Sequence, residues 1–269
     1  MDEEDKQKEE IKQHYNEIAD WYEEYADLLT ASVYHSFLPT LHLESSSKII
    51  EVACGTGLGL SLLMSHILPE AEIYASDLSP AMLAKAQKRN LPKLNLIEAA
   101  NDALPYEDNF FDRYIANFSL QLVPDASSML RESYRVLAEN GISVFSVWGR
   151  REICNCLNII DEAVFEVLGE EDNKKRSPFY LNDQELLKKL IKEAGYRKVY
   201  TYYTSTPYGP TGSEETMKFY EVNPNLWEYK KKSEEIYLNI LSKIREKVAL
   251  LVEKEEIIMF DALIIIAYK

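Results

Sequence analysis

The chain has 269 residues, 46% hydrophobic and 28% charged, the composition of an ordinary globular protein with room for one large core and a cap. A formal charge of −15 repels phosphate backbones, and the one tight basic cluster, Lys230 to Lys232, is interleaved with Glu228, Glu234 and Glu235, so no nucleic acid is expected as a partner. Cys54, Cys154 and Cys156 make no CxxC pair and have no histidine at metal-ligand spacing, which speaks against a disulfide framework and a bound metal and fits a reducing cytoplasm.

The acidic start MDEEDKQKEE has the composition of neither a signal nor a transit peptide, and disorder is expected only in its first few residues. Over 10–29, Ile11, Tyr15, Ile18, Tyr22 and Tyr25 recur at three- and four-residue steps. This predicts an amphipathic helix whose aromatic stripe either packs on the core or covers a ligand. Five β-rich runs follow at 48–53, 72–76, 94–98, 112–116 and 142–147, alternating with helical patterns over 58–68, 80–89 and 125–137. Ser79-Pro80 gives a helix start, and Asn140-Gly141 a turn before the fifth strand. Such alternation predicts a parallel sheet covered by helices on both faces.

After Trp148, helices are expected over 153–168 and 182–194, a sixth strand over 198–203, helices over 214–220 and 226–254, and a last strand over 259–268. The most apolar stretch, 257–267, is broken by Asp261 and too short to span a bilayer, so membrane insertion is not expected. The 226–254 segment offers a cap or a dimer surface.

Chemistry concentrates where the first strand runs into a glycine-rich turn, Glu51-Val52-Ala53-Cys54-Gly55-Thr56-Gly57-Leu58-Gly59. Glycines let the backbone bend sharply and let a ligand lie against it. The spacing departs from G-x-G-x-x-G, because Leu60 stands where the third glycine would fall, which argues against a nicotinamide site. Asp77 ends the second strand and can accept hydrogen bonds from vicinal ribose hydroxyls; the simpler reading is a carboxylate at a helix start.

Taken in order, Glu51 and Gly55, then Asp77-Leu78-Ser79-Pro80-Ala81-Met82-Leu83, Asp102-Ala103-Leu104-Pro105-Tyr106, and Leu130-Arg131-Glu132-Ser133-Tyr134-Arg135-Val136-Leu137 closely resemble the class I S-adenosylmethionine-dependent methyltransferases of the type 11, ubiquinone/menaquinone-biosynthesis-like group. The resemblance implies one α/β domain over 1–269, a doubly wound seven-stranded sheet, mostly parallel with the last strand antiparallel. It implies an N-terminal helical lid over 10–45, a cofactor-binding core over 46–150, and substrate-side elements over 151–269 with a helical insertion at 214–254. S-adenosylmethionine is the implied cofactor and S-adenosylhomocysteine the product.

By position, Glu51 would belong to the cofactor-binding set, Gly55, Thr56 and Gly57 would border the methionine part, Asp77 the ribose, and Leu78 and Met82 the adenine. Asn101, Asp102 and Ala103 would reach the adenine edge, Asn117 and Phe118 would lie beneath the methionine, and Tyr15 and Tyr22 would close over the cofactor. Ala53 replaces a frequent glycine, tolerable for a residue still on the strand. Ala100 stands where relatives carry the adenine-contacting aspartate, leaving Asn101 or Asp102 to substitute.

Gln121 stands where relatives often place a histidine, His14 and His35 read as surface residues, and no catalytic acid or base is assigned. Gln121, Trp148, Tyr180 and the tyrosines of 202–208 are the candidate acceptor contacts, for a small-molecule methyl acceptor. Two other readings stay open: a protein-directed enzyme, for which an acidic surface could attract a basic target, and a non-catalytic binding or regulatory subunit of the same fold.

Overall fold

The computed structural model describes residues 3–169, 176–208 and 211–269; Met1 and Asp2, where disorder is expected, lie outside them. In chain order the elements are α1 (Glu3–Trp21), a π-helical turn (Tyr22–Ala26), α2 (Asp27–Phe37), β1 (Lys48–Val52), α3 (Leu58–Leu63), β2 (Glu72–Asp77), α4 (Pro80–Lys88), β3 (Leu94–Glu98), β4 (Phe111–Asn117), α5 (Ala126–Val136) and β5 (Leu137–Trp148). They continue with α6 (Asn155–Leu168), α7 (Gln184–Glu193), β6 (Lys198–Pro207), α8 (Glu214–Glu221), α9 (Trp227–Lys232), α10 (Glu234–Glu253) and β7 (Met259–Tyr268).

Contacts divide the chain into two compact units. The first comprises Met1–Trp148, Pro178–Thr204 and Ala262–Lys269 and holds a seven-stranded sheet in the order β3-β2-β1-β4-β5-β7-β6. The β1–β2, β1–β4, β2–β3 and β4–β5 pairs are parallel and β5–β7 is antiparallel, as expected from the sequence. Strands β1, β4, β5 and β7 are buried along most of their length because both of their faces are covered, whereas β3 and β6 at the edges are half exposed. One side of the core joins Ile50, Val52, Tyr114, Phe145 and Leu263 of the sheet to Met129 and Leu130 of α5 and Leu187 and Ile191 of α7. Strand order reverses between β1 and β4, the place where open α/β sheets leave a crevice at the carboxyl ends of their strands.

The second unit comprises Gly149–Ser177 and Ser205–Asp261. Its helices α6 and α10 pack through Ile159, Ile160, Ala163 and Val164 on one and Tyr237, Ile240, Ile244 and Val248 on the other. Within it, the fully buried Asp261 carboxylate accepts from the Arg150 backbone and guanidinium and from Ser205.

Four expected boundaries are corrected. The N-terminal helix starts at Glu3 and is interrupted by the π turn rather than running smoothly over 10–29. α3 stops at Leu63 instead of 68, because the Ser65 hydroxyl and His66 ring compete for the Leu62 carbonyl and Pro69 disfavours helix just before it. Asn140-Gly141 is an irregularity inside β5, not a turn ahead of it: Asn140 is left-handed at φ 64°, and pairing with β4 shifts register there. The 226–254 helix breaks at Ser233, whose extended backbone ends α9 and whose hydroxyl caps Ile236 of α10. Among the described residues, no helix is long and apolar enough to cross a membrane.

Candidate functional site

Where β1, β2 and β4 end, Tyr15, Tyr22, Gly55, Asp77, Leu78, Met82, Asn101, Asp102, Asn117 and Phe118 line one cavity of about 730 Å³, counted with its open mouth. All ten are residues singled out in the sequence.

Asp77 sets the geometry. Its Oδ2 accepts from the Gly55 N–H at 2.9 Å and its Oδ1 from the Ser79 N–H at 2.8 Å, so one side chain ties the turn after β1 to the turn after β2. Burial raises this carboxyl to about 6, against the N–H groups of Ser79, Gly55 and Leu78, which favour its charge. A carboxylate offers about four acceptor positions, so these bonds leave acceptor capacity free. Gly55 has φ +55°, and a Cβ there would sit 3.9 Å from Cε1 of Tyr22, whose ring therefore lies over the turn. Tyr15 meets Tyr22 edge to face, with centroids 6.3 Å apart. Burial pushes both phenols above their ordinary range, so both are uncharged at neutral pH.

Glu51, Thr56, Gly57 and Ala103 do not line the cavity. Glu51 is 3% exposed, accepts from the Tyr34 hydroxyl at 2.8 Å, and is raised to about 8 by burial, which that hydrogen bond opposes. Thr56 donates its hydroxyl to Asp27 and gives its carbonyl to Arg89 at 2.6 Å. At Gly57 a Cβ would approach Ala86 Cα to 3.0 Å, so this glycine lets α4 close on the turn. Gly59 does the same for Tyr34 and Glu51, which a Cβ would meet at 2.7 and 2.9 Å. Ala103 is exposed.

The acceptor-side candidates also lie outside this lining. Gln121 is buried and donates to the Phe118 carbonyl. Trp148 contacts the Phe118 ring at 5.3 Å and Phe179 at 6.0 Å, and Tyr180 packs against the sheet core. Tyr202 and Tyr203 donate to the carbonyls of Ser36 and Asn182. His14 and His35 are exposed.

One expectation is corrected: Ala53 is not on the strand, which ends at Val52, but in the left-handed region at φ 49°. An L-residue pays about 1–2 kcal/mol there. Phe118 is left-handed too, at φ 51°, with its N–H on Ser146, so the cavity is bordered by two strained non-glycine residues.

Sequence reasoning missed what fastens the N-terminal segment. Lys8 pairs with Asp102, Lys12 with Glu98, and Asn16 with the Ser79 hydroxyl; Lys85 bridges Asp20 and Glu23. Asp27, 5% exposed, pairs with Arg89, and Asn117 donates to the Thr30 carbonyl. The helical spacing of Lys8, Lys12, Asn16, Asp20 and Glu23 was the available signal. Ser119 also lines the cavity, and its buried hydroxyl has no hydrogen-bond partner among the described residues.

These residues fit an adenosine-bearing sulfonium. Asp77 has acceptors to spare, Leu78 and Met82 present apolar surface for a flat base, the Tyr15 and Tyr22 rings suit a cation, and Asp102 Oδ1 is a buried acceptor without a donor among the described residues.

A family model described as a methyltransferase domain matches residues 50–145. The chain is 26% identical over 212 residues to the demethylmenaquinone methyltransferase of Staphylococcus saprophyticus, an alignment covering 71% of this chain and 90% of that protein. It is 27% identical over 218 residues to a ubiquinone/menaquinone biosynthesis C-methyltransferase of Pectobacterium atrosepticum, covering 73% and 86%. Among solved structures, a Thermotoga maritima methyltransferase described as a possible histamine N-methyltransferase shares the fold, with a TM-score of 0.55 and 18% identity over 96% of this chain and 99% of that one.

Proposed function

We propose that this chain, which belongs to the class I S-adenosylmethionine-dependent methyltransferases, passes a methyl group to a small aromatic acceptor of the hydroquinone class. The reading is carried by the junction of Asp77 with Gly55 beneath the Tyr15 and Tyr22 rings. When bound, S-adenosylmethionine supplies an electrophilic methyl carbon on a positive sulfur with a neutral thioether as leaving group.

The chain's own task is therefore to bind, orient and exclude water. Asp77 would hold the vicinal hydroxyls with its remaining acceptor capacity, Leu78 and Met82 would flank the base, and Asn101 and Asp102 would meet its edge. Asn117 and Phe118 would form the floor under the methionine portion. Glu51, Thr56 and Gly57 would act at one remove, by fixing the shape and position of the turn that carries Gly55. Tyr15 and Tyr22 would close the site with π faces toward the cation, an interaction worth about 0.5–2 kcal/mol. Holding two reactants in line in a dry cavity lowers a barrier by up to about 7–11 kcal/mol.

The acceptor class rests on the names of the relatives. Three curated relatives that match over 86% or more of their own length carry names from quinone biosynthesis. Gln121, Trp148 and Tyr180 are assigned to the acceptor side, continuing from Phe118.

The test is a labelled-methyl assay of the pure protein against hydroquinones, catechols, primary amines and a basic peptide, with mass identification of the product. Label on a hydroquinone ring carbon is expected. Label confined to an amine or to the peptide would overturn the acceptor class.

A further inference from the structure

Asp102 stands in the loop between β3 and β4 and lines the cavity, yet its side chain is only 6% exposed. Its two oxygens are in different situations. Oδ2 is 2.7 Å from the Lys8 ammonium, which comes from α1 and is held on its other side by Glu4 at 3.2 Å. Oδ1 is buried with no hydrogen-bond partner among the described residues. A buried acceptor without a donor is costly, and a native structure that keeps one commonly offers it to a ligand. Of the other loop residues lining this edge, Ala100 has no polar side-chain atom and Asn101 carries no charge, so Asp102 is the anionic acceptor there.

We propose that Lys8 is a positioning residue for base selection: it clamps one oxygen of Asp102 so that the other reads a donor at the edge of the purine, the exocyclic amino group. The proposal rests on the methyltransferase reading and adds a role for the N-terminal helix in choosing the base as well as covering it. An amino group donates to a carboxylate, whereas an oxo group at the same ring position presents lone pairs against it. Without the clamp, the carboxylate can rotate or recruit water and accept either base. The substitution Asp102→Asn puts a neutral isostere in this place, and its amide nitrogen could turn toward an oxo group. That variant should therefore redirect the preference rather than only weaken it.

The experiment is calorimetric titration of the full chain with S-adenosylhomocysteine and with its 6-oxo analogue. Wild type is expected to prefer the amino ligand by about tenfold or more. Asp102→Asn should erase or reverse that ratio, Lys8→Met should reduce it several-fold, and Lys8→Arg should restore it. A merely structural role for Lys8 would weaken both ligands alike and leave the ratio unchanged, which would overturn the proposal. An Asp102→Asn protein that discriminates as wild type does would also overturn it. Wild type binding neither ligand would overturn the methyltransferase reading and this proposal together, whereas wild type binding both equally would overturn this proposal alone.

Discussion

The N–H of Gly55 donates to Asp77 Oδ2 across 2.9 Å, so the residue that ends β2 holds the turn that leaves β1. This single bond makes two sequence motifs, 22 positions apart, into one site. The carboxylates around it also carry a pH dependence.

Burial raises Glu51 to about 8 and Asp77 to about 6. The folded chain thus keeps protons that ordinary carboxyls in the unfolded chain have already released, and stability falls as pH rises from about 4 through 6 for Asp77 and on to about 8 for Glu51. Glu51→Gln removes one of the two contributions while keeping an oxygen for Tyr34. We expect a gain on the order of 2–3 kcal/mol at pH 7 that vanishes near pH 4, read from urea unfolding at both values. An equal effect at both would contradict this.

Gly59→Ala places a methyl 2.7 Å from the Tyr34 ring and 2.9 Å from Glu51, in fully buried surroundings. The expected cost is about 1–3 kcal/mol of unfolding free energy. Wild-type stability would mean that α2 does not pack on α3 as described.

Asp27→Asn keeps the shape of the Asp27, Thr56 and Arg89 cluster but leaves the guanidinium without its carboxylate. Loss of the carboxylate strands the part-buried guanidinium, but burial raises the Asp27 carboxyl and offsets part of that loss, so a cost of about 1–2 kcal/mol is expected. A double-mutant cycle with Arg89→Met should show a coupling above about 0.5 kcal/mol, and strict additivity would contradict the pairing.

Ala53→Gly relieves the left-handed strain at φ 49° and adds backbone entropy to the unfolded chain. The two effects should leave a net stabilisation of roughly 0.5–1 kcal/mol, measured as a raised unfolding midpoint, while Ala53→Val should be destabilising.

Much of the fold was legible because apolar residues predominate in β1, β4 and β7 and because Ser79-Pro80 starts α4 as expected. The ten cavity residues were legible as motif positions, since chain direction and strand order bring the ends of β1, β2 and β4 together. What the sequence hid depended on partners distant in the chain. Asp27 reads as an exposed helix residue until Thr56 and Arg89 surround it, and Gly59 reads as part of a ligand turn until Tyr34 is packed against it. The π turn at Tyr22–Ala26 leaves no mark in a three- and four-residue spacing, although it carries Tyr22 and separates α1 from α2.

Titrating wild type and Asp77→Ala with S-adenosylhomocysteine by calorimetry addresses the central claim most directly, with circular dichroism to verify that both are folded. The account predicts saturable one-to-one binding by wild type and at least about tenfold weaker binding by the variant, the worth of two charge-assisted hydrogen bonds. Equal affinity of two folded proteins for the ligand would contradict it.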